Sequence, residues 1–315
     1  MSDPLPRQPF RFSTPVSVTS DARSFRDHVR RMEDLGFSTV TISDHFDDQL
    51  GPIAALQAAA DATTTLRVGS LVFCNDYRHP VVLAKEAATL DLLSEGRFEL
   101  GLGAGWMESD YTQAGLPYDA AATRVDRLDE AIQVIRRLWG GEPVAFTGQH
   151  YSVDGLVGTP VPHTPGGPPL VVGGGGRRVL ELAARHADVV GINPKLTAGR
   201  IDASAGPSAT PSATDAKVAW IRDAAGARFE SIELHVRLEL AVVTDDPEPL
   251  VQALSGGFGL TPDEARATPH AAVGTIDSIC DALVERRERW GLSYVGIPAG
   301  SVDAMAPVVS RLAGT

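Results

Sequence analysis

The regular alternation of apolar strands with helical segments constrains this chain more than any other feature. Eight strand-like segments begin near residues 10, 38, 66, 97, 168, 188, 231 and 292. Helical spacing of apolar residues predicts helices over 24–37, 53–63, 80–96, 124–141, 177–187, 212–226 and 275–291. Strands that are apolar on both faces are typical of a parallel sheet covered by helices. Eight such units predict a (β/α)8 TIM barrel, and a doubly wound sheet is the alternative because periodicity does not show whether the sheet closes.

Two segments fall outside the alternation. Residues 142–167 are expected to form a short hairpin followed by a loop rich in proline and glycine. Residues 197–213 are small and polar after Ile201, so we expect a mobile loop over the barrel mouth that becomes ordered when substrate binds. Because no composition break marks a boundary, residues 1–315 are expected to form one barrel domain with these two insertions.

Charge and cysteine content exclude several classes of protein. The chain has 28 Lys and Arg against 40 Asp and Glu, a net charge of −12 that disfavours nucleic acid and anionic membranes as partners. No apolar run is long enough to span a membrane, and no secretory signal is recognisable, so a soluble cytoplasmic protein is expected. Cys74 and Cys280 lack the spacing of metal ligands, and no metal is expected.

The strand ends are the places to look for chemistry, because the active site of a parallel barrel lies at the carboxyl ends of its strands. The second strand ends in Ser43, Asp44 and His45. A histidine beside a carboxylate can transfer a proton near neutral pH. The alternative is that Asp44 or His45 only caps the following helix.

Glycines mark two further strand ends. Gly101, Gly103 and Gly105 alternate along the fourth strand, which would let a planar ligand approach the backbone, and tight packing between helix and strand is the alternative. The fifth strand runs through Gly173–Gly176 into a helix that begins with two arginines. Free N–H groups and the helix dipole at such a helix start favour a phosphate group.

Together, several motifs indicate a family. They are LGFSTVTISDHF, LRVGSLVFCNDYRHP, LAKEAATLDLLSEGRFELGLGAGWMESDY, PLVVGGGGRR and GTIDSICDALVERRERWGLSYV. With them the chain resembles the luciferase-like monooxygenase superfamily, and within it the oxidoreductases that depend on the deazaflavin coenzyme F420. The resemblance implies a TIM barrel with an insertion, a small-molecule substrate and a homodimer.

The resemblance also implies roles for individual residues. His45 is the candidate proton-transfer group, Asp44 orients it or holds the ring edge, and Glu108 is a further candidate acid, offset from the glutamate that some relatives carry at the position of Trp106. A non-prolyl cis peptide bond is expected between Leu71 and Val72. The remaining cofactor contacts implied are Cys74, Asn75, Gly103, Ala104, Gly105, Trp106, Ser109, Gly173, Gly174, Gly175, Gly176 and Arg177.

The sequence is compatible with two cofactors. Deazaflavin members of the family move a hydride, whereas FMN-dependent members insert an oxygen atom, and the glycine turn suits either cofactor. The residues of these motifs resemble the deazaflavin group more closely, which favours coenzyme F420. A barrel that binds a flavin without catalysis is a third possibility, against which the retained Asp44, His45 and glycine turn argue. The sequence does not identify the substrate.

Overall fold

The computed structural model describes residues 8–16, 21–196, 199–200 and 202–315. In that part of the chain the strands are β1 (Arg11–Pro15), β2 (Thr39–Ile42), β3 (Arg67–Ser70), β4 (Phe73–Cys74), β5 (Phe98–Gly103), β6 (Pro143–Thr147), β7 (Ser152–Val157), β8 (Leu170–Gly174), β9 (Val189–Ile192), β10 (Glu233–Arg237), β11 (Leu240–Val243), β12 (Ala271–Gly274) and β13 (Leu292–Gly296).

The helices alternate with these strands. They are α1 (Ala22–Asp34), α2 (Pro52–Ala62), α3 (Pro80–Leu93), α4 (Glu108–Ala114), α5 (Ala121–Leu138), α6 (Arg177–His186), α7 (Pro211–Ala225), α8 (Glu248–Phe258), α9 (Pro262–Ala267), α10 (Ile276–Trp290) and α11 (Val302–Leu312). None of the described helices is long and apolar enough to cross a membrane.

Eight of the strands form one closed parallel barrel. Around the barrel their order is β1, β2, β3, β5, β8, β9, β10 and β13, and β13 pairs again with β1. Closure confirms the TIM barrel and the eight strands that the sequence predicts, and it excludes the open doubly wound sheet. Since all eight strands are parallel, their carboxyl ends meet at one mouth.

The core lies between the barrel and its helices. Each barrel strand contributes an apolar side chain of at most 1% exposure to this layer: Phe12, Val40, Val68, Leu100, Val172, Val190, Val236 and Val295. Complete burial on the helix side explains why the strands are so apolar in the sequence.

An ion network fills the amino-terminal end of the barrel interior. Glu99 is 3% exposed and accepts from Arg11 Nη1 at 2.5 Å and from Arg67 Nε at 2.7 Å. Arg11 also donates to Glu233 at 2.6 Å, and the Tyr294 hydroxyl donates to Glu99 at 3.2 Å. Burial disfavours the charge on Glu99, but Arg11 and Arg67 more than offset this, so the pKa of Glu99 is lowered.

The segment predicted as one strand over 231–244 is two strands. β10 belongs to the barrel, whereas β11 leaves it and pairs in parallel with β12. The strand β12 and the helices α4, α8, α9 and α11 were not predicted. The helices α4 and α9 are too short to show helical periodicity in the sequence.

The two insertions differ from each other in how they match the sequence predictions. The predicted hairpin in 142–167 is present as antiparallel β6 and β7. The prediction of a loop over 197–213 is wrong for its described end, because Ala203–Ser208 forms a 3-10 helix and α7 begins at Pro211. Gly206 packs closely against α8, since a Cβ there would lie 1.8 Å from Phe258 O, and the ordering of the segment when substrate binds stays a prediction. Residues 197, 198 and 201 lie outside the described residues.

The ion network yields a prediction about stability. The substitution Glu99→Gln leaves Arg11 and Arg67 without their buried counter-charge, which we expect to cost about 3 kcal/mol at neutral pH. Because the pKa of Glu99 is lower in the folded than in the unfolded protein, its carboxylate stabilises the fold at pH values above the unfolded-state pKa of about 4.3. This stabilisation is lost as the pH falls through the folded-state pKa. The difference in the free energy of unfolding between wild type and Glu99→Gln should therefore become smaller as the pH is lowered, as measured by urea unfolding.

The exposed Glu230 provides the matched control. The substitution Glu230→Gln should change the free energy of unfolding by no more than about 0.5 kcal/mol at any pH tested. Equal stability of Glu99→Gln and wild type at neutral pH would show that the network does not stabilise the barrel.

Candidate functional site

The end of β2 presents two adjacent titratable residues with different partners. Asp44 is 5% exposed and accepts two bonds from Arg78, at 2.5 and 2.9 Å, and one from Cys74 N at 2.9 Å. Burial disfavours the charge on Arg78, but Asp44 more than offsets this and raises the Arg78 pKa. The expectation that Asp44 orients His45 is wrong, because both carboxylate oxygens of Asp44 are bonded to these other groups.

Asp110 holds the imidazole of His45 instead. The distance from His45 Nδ1 to Asp110 Oδ2 is 2.7 Å, and the Tyr77 hydroxyl donates to the same oxygen at 3.3 Å. The His45 ring also meets Trp106 edge-on, with 5.6 Å between ring centroids. The side chain of His45 remains 23% exposed, so a group at the barrel mouth can reach it.

The short helix α4 explains why Asp110 occupies this position and Glu108 does not. Asp110 and Tyr111 are buried on the barrel side of α4, whereas Glu108 and Ser109 are exposed. Glu108 and Asp110 are two positions apart, which places their side chains on opposite sides of a helix. Glu108 N donates to Gly199 O at 3.4 Å.

The glycines of β5 serve close packing of the protein itself. A Cβ on Gly101 would lie 1.8 Å from Ser70 O, and one on Gly103 would lie 2.7 Å from Val72 Cγ2. The space beside these two glycines is thus taken by the end of β3 and by the segment that follows it, rather than left for a planar ligand. In that segment the bond between Leu71 and Val72 is cis, which confirms the expectation from the resemblance.

Gly105 makes room for a tyrosine. Its φ is +76°, and a Cβ there would lie 1.9 Å from the Tyr111 hydroxyl. That hydroxyl lies 3.2 Å from Cys74 Sγ and donates to Asp76 at 3.0 Å. Burial raises the pKa of Cys74 to about 11, so its thiol stays protonated at neutral pH.

The other predicted contacts at the ends of β4 and β5 also bond within the protein. Asn75 is 1% exposed and donates at 3.1 Å to the hydroxyl of Tyr151, which directly precedes β7. Ala104 O accepts from Arg124 Nε at 3.2 Å, and Trp106 O accepts from the Tyr118 hydroxyl at 2.9 Å.

The glycine turn after β8 has one open position. A Cβ on Gly174 would lie 2.2 Å from Val179 Cγ1, and one on Gly175 would lie 2.3 Å from Pro194 O. A Cβ on Gly176 would meet nothing within 4 Å. Gly176 is the N-cap of α6, and no side chain caps the helix there. The first N–H groups of α6 are thus left for water or an anion.

The two arginines at the start of α6 are paired with carboxylates. Arg177 is 67% exposed and bonds Glu181 along its own helix at 2.6 Å, and Arg178 bonds Asp126 of α5. The contact of the Arg177 side chain with a phosphate stays a prediction, and in this structure the side chain bonds Glu181.

The barrel brings most of the predicted residues together. β2, β3, β5 and β8 are consecutive neighbours, so their ends form one half of the mouth. Sequence reasoning missed Asp110, Tyr77 and Arg78 as site residues. Arg78 and Tyr77 stand in the motif NDYRHP directly after β4, which is the signal that could have drawn attention to them.

Comparison with known proteins agrees with this architecture. The model of the luciferase-like monooxygenase family matches residues 8–205. A curated relative, the F420-dependent hydroxymycolic acid dehydrogenase of Mycobacterium tuberculosis, is 35% identical over 169 residues, 51% of this chain and 46% of that protein. The F420-dependent glucose-6-phosphate dehydrogenase of Intrasporangium calvum is 35% identical over 176 residues, 53% of this chain and 52% of that protein. The chain therefore spans about half the length of these relatives.

Solved structures share the whole fold. An F420-dependent secondary alcohol dehydrogenase in complex with an F420-acetone adduct superposes with a TM-score of 0.77 at 19% identity, over 97% of this chain and 99% of that one. A monooxygenase from Streptomyces bottropensis superposes with a TM-score of 0.72 at 24% identity, over 96% and 97% of the two chains. With the family match covering more than half of its residues, the chain belongs to the luciferase-like monooxygenase family.

Proposed function

We propose that this protein is an oxidoreductase that transfers a hydride between coenzyme F420 and a small organic substrate. The observation that carries the proposal is the pair of His45 and Asp110 at the barrel mouth, on the same half as the uncapped start of α6. Curated relatives at 35% identity are named F420-dependent dehydrogenases, which favours the deazaflavin over FMN.

The residues present fit such a cofactor at its phosphate end. The start of α6 supplies N–H groups without a capping side chain, and Gly176 leaves the space in front of them open. Backbone donors at a helix start favour an anion regardless of the overall negative charge of the protein. The first turn of α6 would hold the phosphate, and the half of the mouth between β2 and β5 would hold the ring.

The chain's own residues would manage the proton. When bound, the deazaflavin supplies or accepts a hydride, which leaves one proton to be moved at the substrate. Asp110 accepts from His45 Nδ1, which fixes the ring orientation and leaves Nε2 as the nitrogen that exchanges a proton. Trp106 packs edge-on against the imidazole and restricts its rotation. His45 is thus the catalytic residue of the proposal, and Asp110 positions it.

Binding of the cofactor provides the first test. We expect the wild type to bind coenzyme F420 more tightly than FMN in fluorescence titrations. The substitution Gly176→Asp places a carboxylate at the N-cap, where it accepts from the first N–H groups of α6 and repels a phosphate. The loss of charge-assisted contacts, about 1.5 to 3 kcal/mol, corresponds to roughly tenfold to a hundredfold weaker binding.

The matched control is another N-cap glycine with open space around it. Gly51 precedes α2, has no capping side chain and has no atom within 4 Å of an added Cβ. We expect Gly51→Asp to leave the F420 affinity within about threefold of wild type, a shift below 1 kcal/mol. Tighter binding of FMN by the wild type would contradict the cofactor assignment, and unchanged affinity in Gly176→Asp would place the phosphate elsewhere.

Turnover provides the second test. With a substrate found in a panel of alcohols, sugar phosphates, enones and imines, His45→Ala should lower kcat by about 10² to 10⁴, the usual contribution of general acid–base catalysis. Asp110→Asn keeps the shape but removes the carboxylate that fixes the imidazole, so we expect kcat to fall by at least about tenfold. Cofactor affinity should change little in both variants. The decay of the deazaflavin absorbance reports the rate.

Two further variants serve as a control and as a test of Glu108 as the alternative proton-transfer group. Asp34→Asn, at an exposed position on α1, should retain the wild-type rate. Glu108→Gln tests the other candidate acid. A greater loss of kcat in Glu108→Gln than in Asp110→Asn, or wild-type turnover by His45→Ala, would remove His45 from the proposed role.

A further inference from the structure

Among the described residues, one buried lysine has only backbone carbonyls as partners. Lys217 of α7 is one of three lysines in the chain and is 2% exposed. Its Nζ donates to Asn193 O at 2.7 Å and to Ser208 O at 2.6 Å. No carboxylate among the described residues lies within ion-pair distance of it. A buried ammonium without a counter-charge is costly, so its position calls for a reason.

The two carbonyls belong to different segments of the chain. Asn193 directly follows β9 at the barrel mouth, and Ser208 ends the 3-10 helix Ala203–Ser208, which we call the strap. A cation at the carbonyl end of a helix is favoured by the peptide dipoles. Through these two hydrogen bonds the ammonium joins the strap to the end of β9.

The segment that Lys217 holds also supports the glycine turn. Asn193 N donates to Gly174 O at 3.0 Å. Pro194 O would lie 2.3 Å from a Cβ on Gly175, so the two backbones are in close contact. Lys195 N in turn donates to Ser208 Oγ of the strap at 2.6 Å. Residues 193–195 therefore lie between the turn and the strap and bond to both.

The strap is itself held from the other side. Ala205 is buried, and Gly206 packs against the backbone of Phe258 at the end of α8. Movement of residues 193–195 away from the turn would have to break the bonds of Lys217 or displace the strap from α8. The Lys217 ammonium donates to a backbone carbonyl in each of the two segments.

We propose that Lys217 is a positioning residue that fixes residues 193–195 between the strap and the Gly173–Gly176 turn and so keeps the turn in the shape that binds the cofactor phosphate. This inference rests on the proposed function, since the affinity it governs is that of the phosphate-bearing coenzyme. Burial lowers the pKa of Lys217 to about 8, so the ammonium persists at neutral pH.

The test compares two ligands that differ in the phosphate. Coenzyme F420 and the phosphate-free deazariboflavin are titrated against wild type, Lys217→Met, Lys217→Arg and the exposed-lysine control Lys85→Met. We expect Lys217→Met to weaken F420 binding about tenfold while the affinity for the phosphate-free compound stays within about threefold. Lys217→Arg keeps the positive charge and has N–H donors for both carbonyls, so it should retain most of the F420 affinity.

The outcomes distinguish this inference from the proposed function. If the wild type does not bind F420, the proposed function fails and this inference with it. If the wild type binds F420 and Lys217→Met binds it equally well, this inference alone is overturned. Equal weakening for both ligands would also overturn it, because it would show a general loosening of the barrel rather than an effect on the turn.

A second variant covers the case in which Lys217→Met does not fold, as judged by circular dichroism. Ser208→Ala removes the hydroxyl that accepts from Lys195 N and donates to Ala205 O, which is a second link between residues 193–195 and the strap. About threefold weaker binding of F420, with the phosphate-free compound unaffected, would support the inference. Unchanged binding of both ligands would overturn it.

Discussion

The close approach of β5 to the end of β3 and the residues directly after it is the constraint on which the site depends. Gly101 and Gly103 have no side chain where Ser70 and Val72 lie, and a methyl group on Gly101 would come within 1.8 Å of Ser70 O. This contact places Cys74 N where it can donate to Asp44. Backbone packing therefore determines the shape of the mouth between β2 and β5. Side-chain substitutions elsewhere leave this packing in place.

Two carboxylates at this mouth have separate roles. Asp44 bonds Arg78 and Cys74 N and thereby joins the end of β2 to the end of β4. Asp110 bonds His45 and leaves the imidazole partly exposed. A fully bonded carboxylate fixes the architecture, whereas one bonded to a histidine at the mouth can orient a proton-transfer group. The adjacent residues Asp44 and His45 therefore belong to different networks.

The sequence predicts the fold better than the site, and the reason is physical. Strand and helix periods are local, so the eight barrel strands and the closed architecture are predicted before any contact is known. The pairing of His45 with Asp110 joins residues 65 positions apart and depends on a seven-residue helix with no recognisable period. Likewise, alternate glycines in β5 show that something approaches closely, but only the structure shows that it is Val72. Lys217 is an ordinary basic residue of a predicted helix until its two carbonyl partners are seen.

A crystal structure of the complex with coenzyme F420 tests the central claim most directly. The account predicts the phosphate within hydrogen-bond distance of the first backbone N–H groups of α6, in front of Gly176, and the deazaflavin ring between the ends of β2 and β5 with His45 Nε2 facing its reactive edge. A phosphate bound away from α6, or a ring that leaves His45 out of reach of the substrate side, would contradict it.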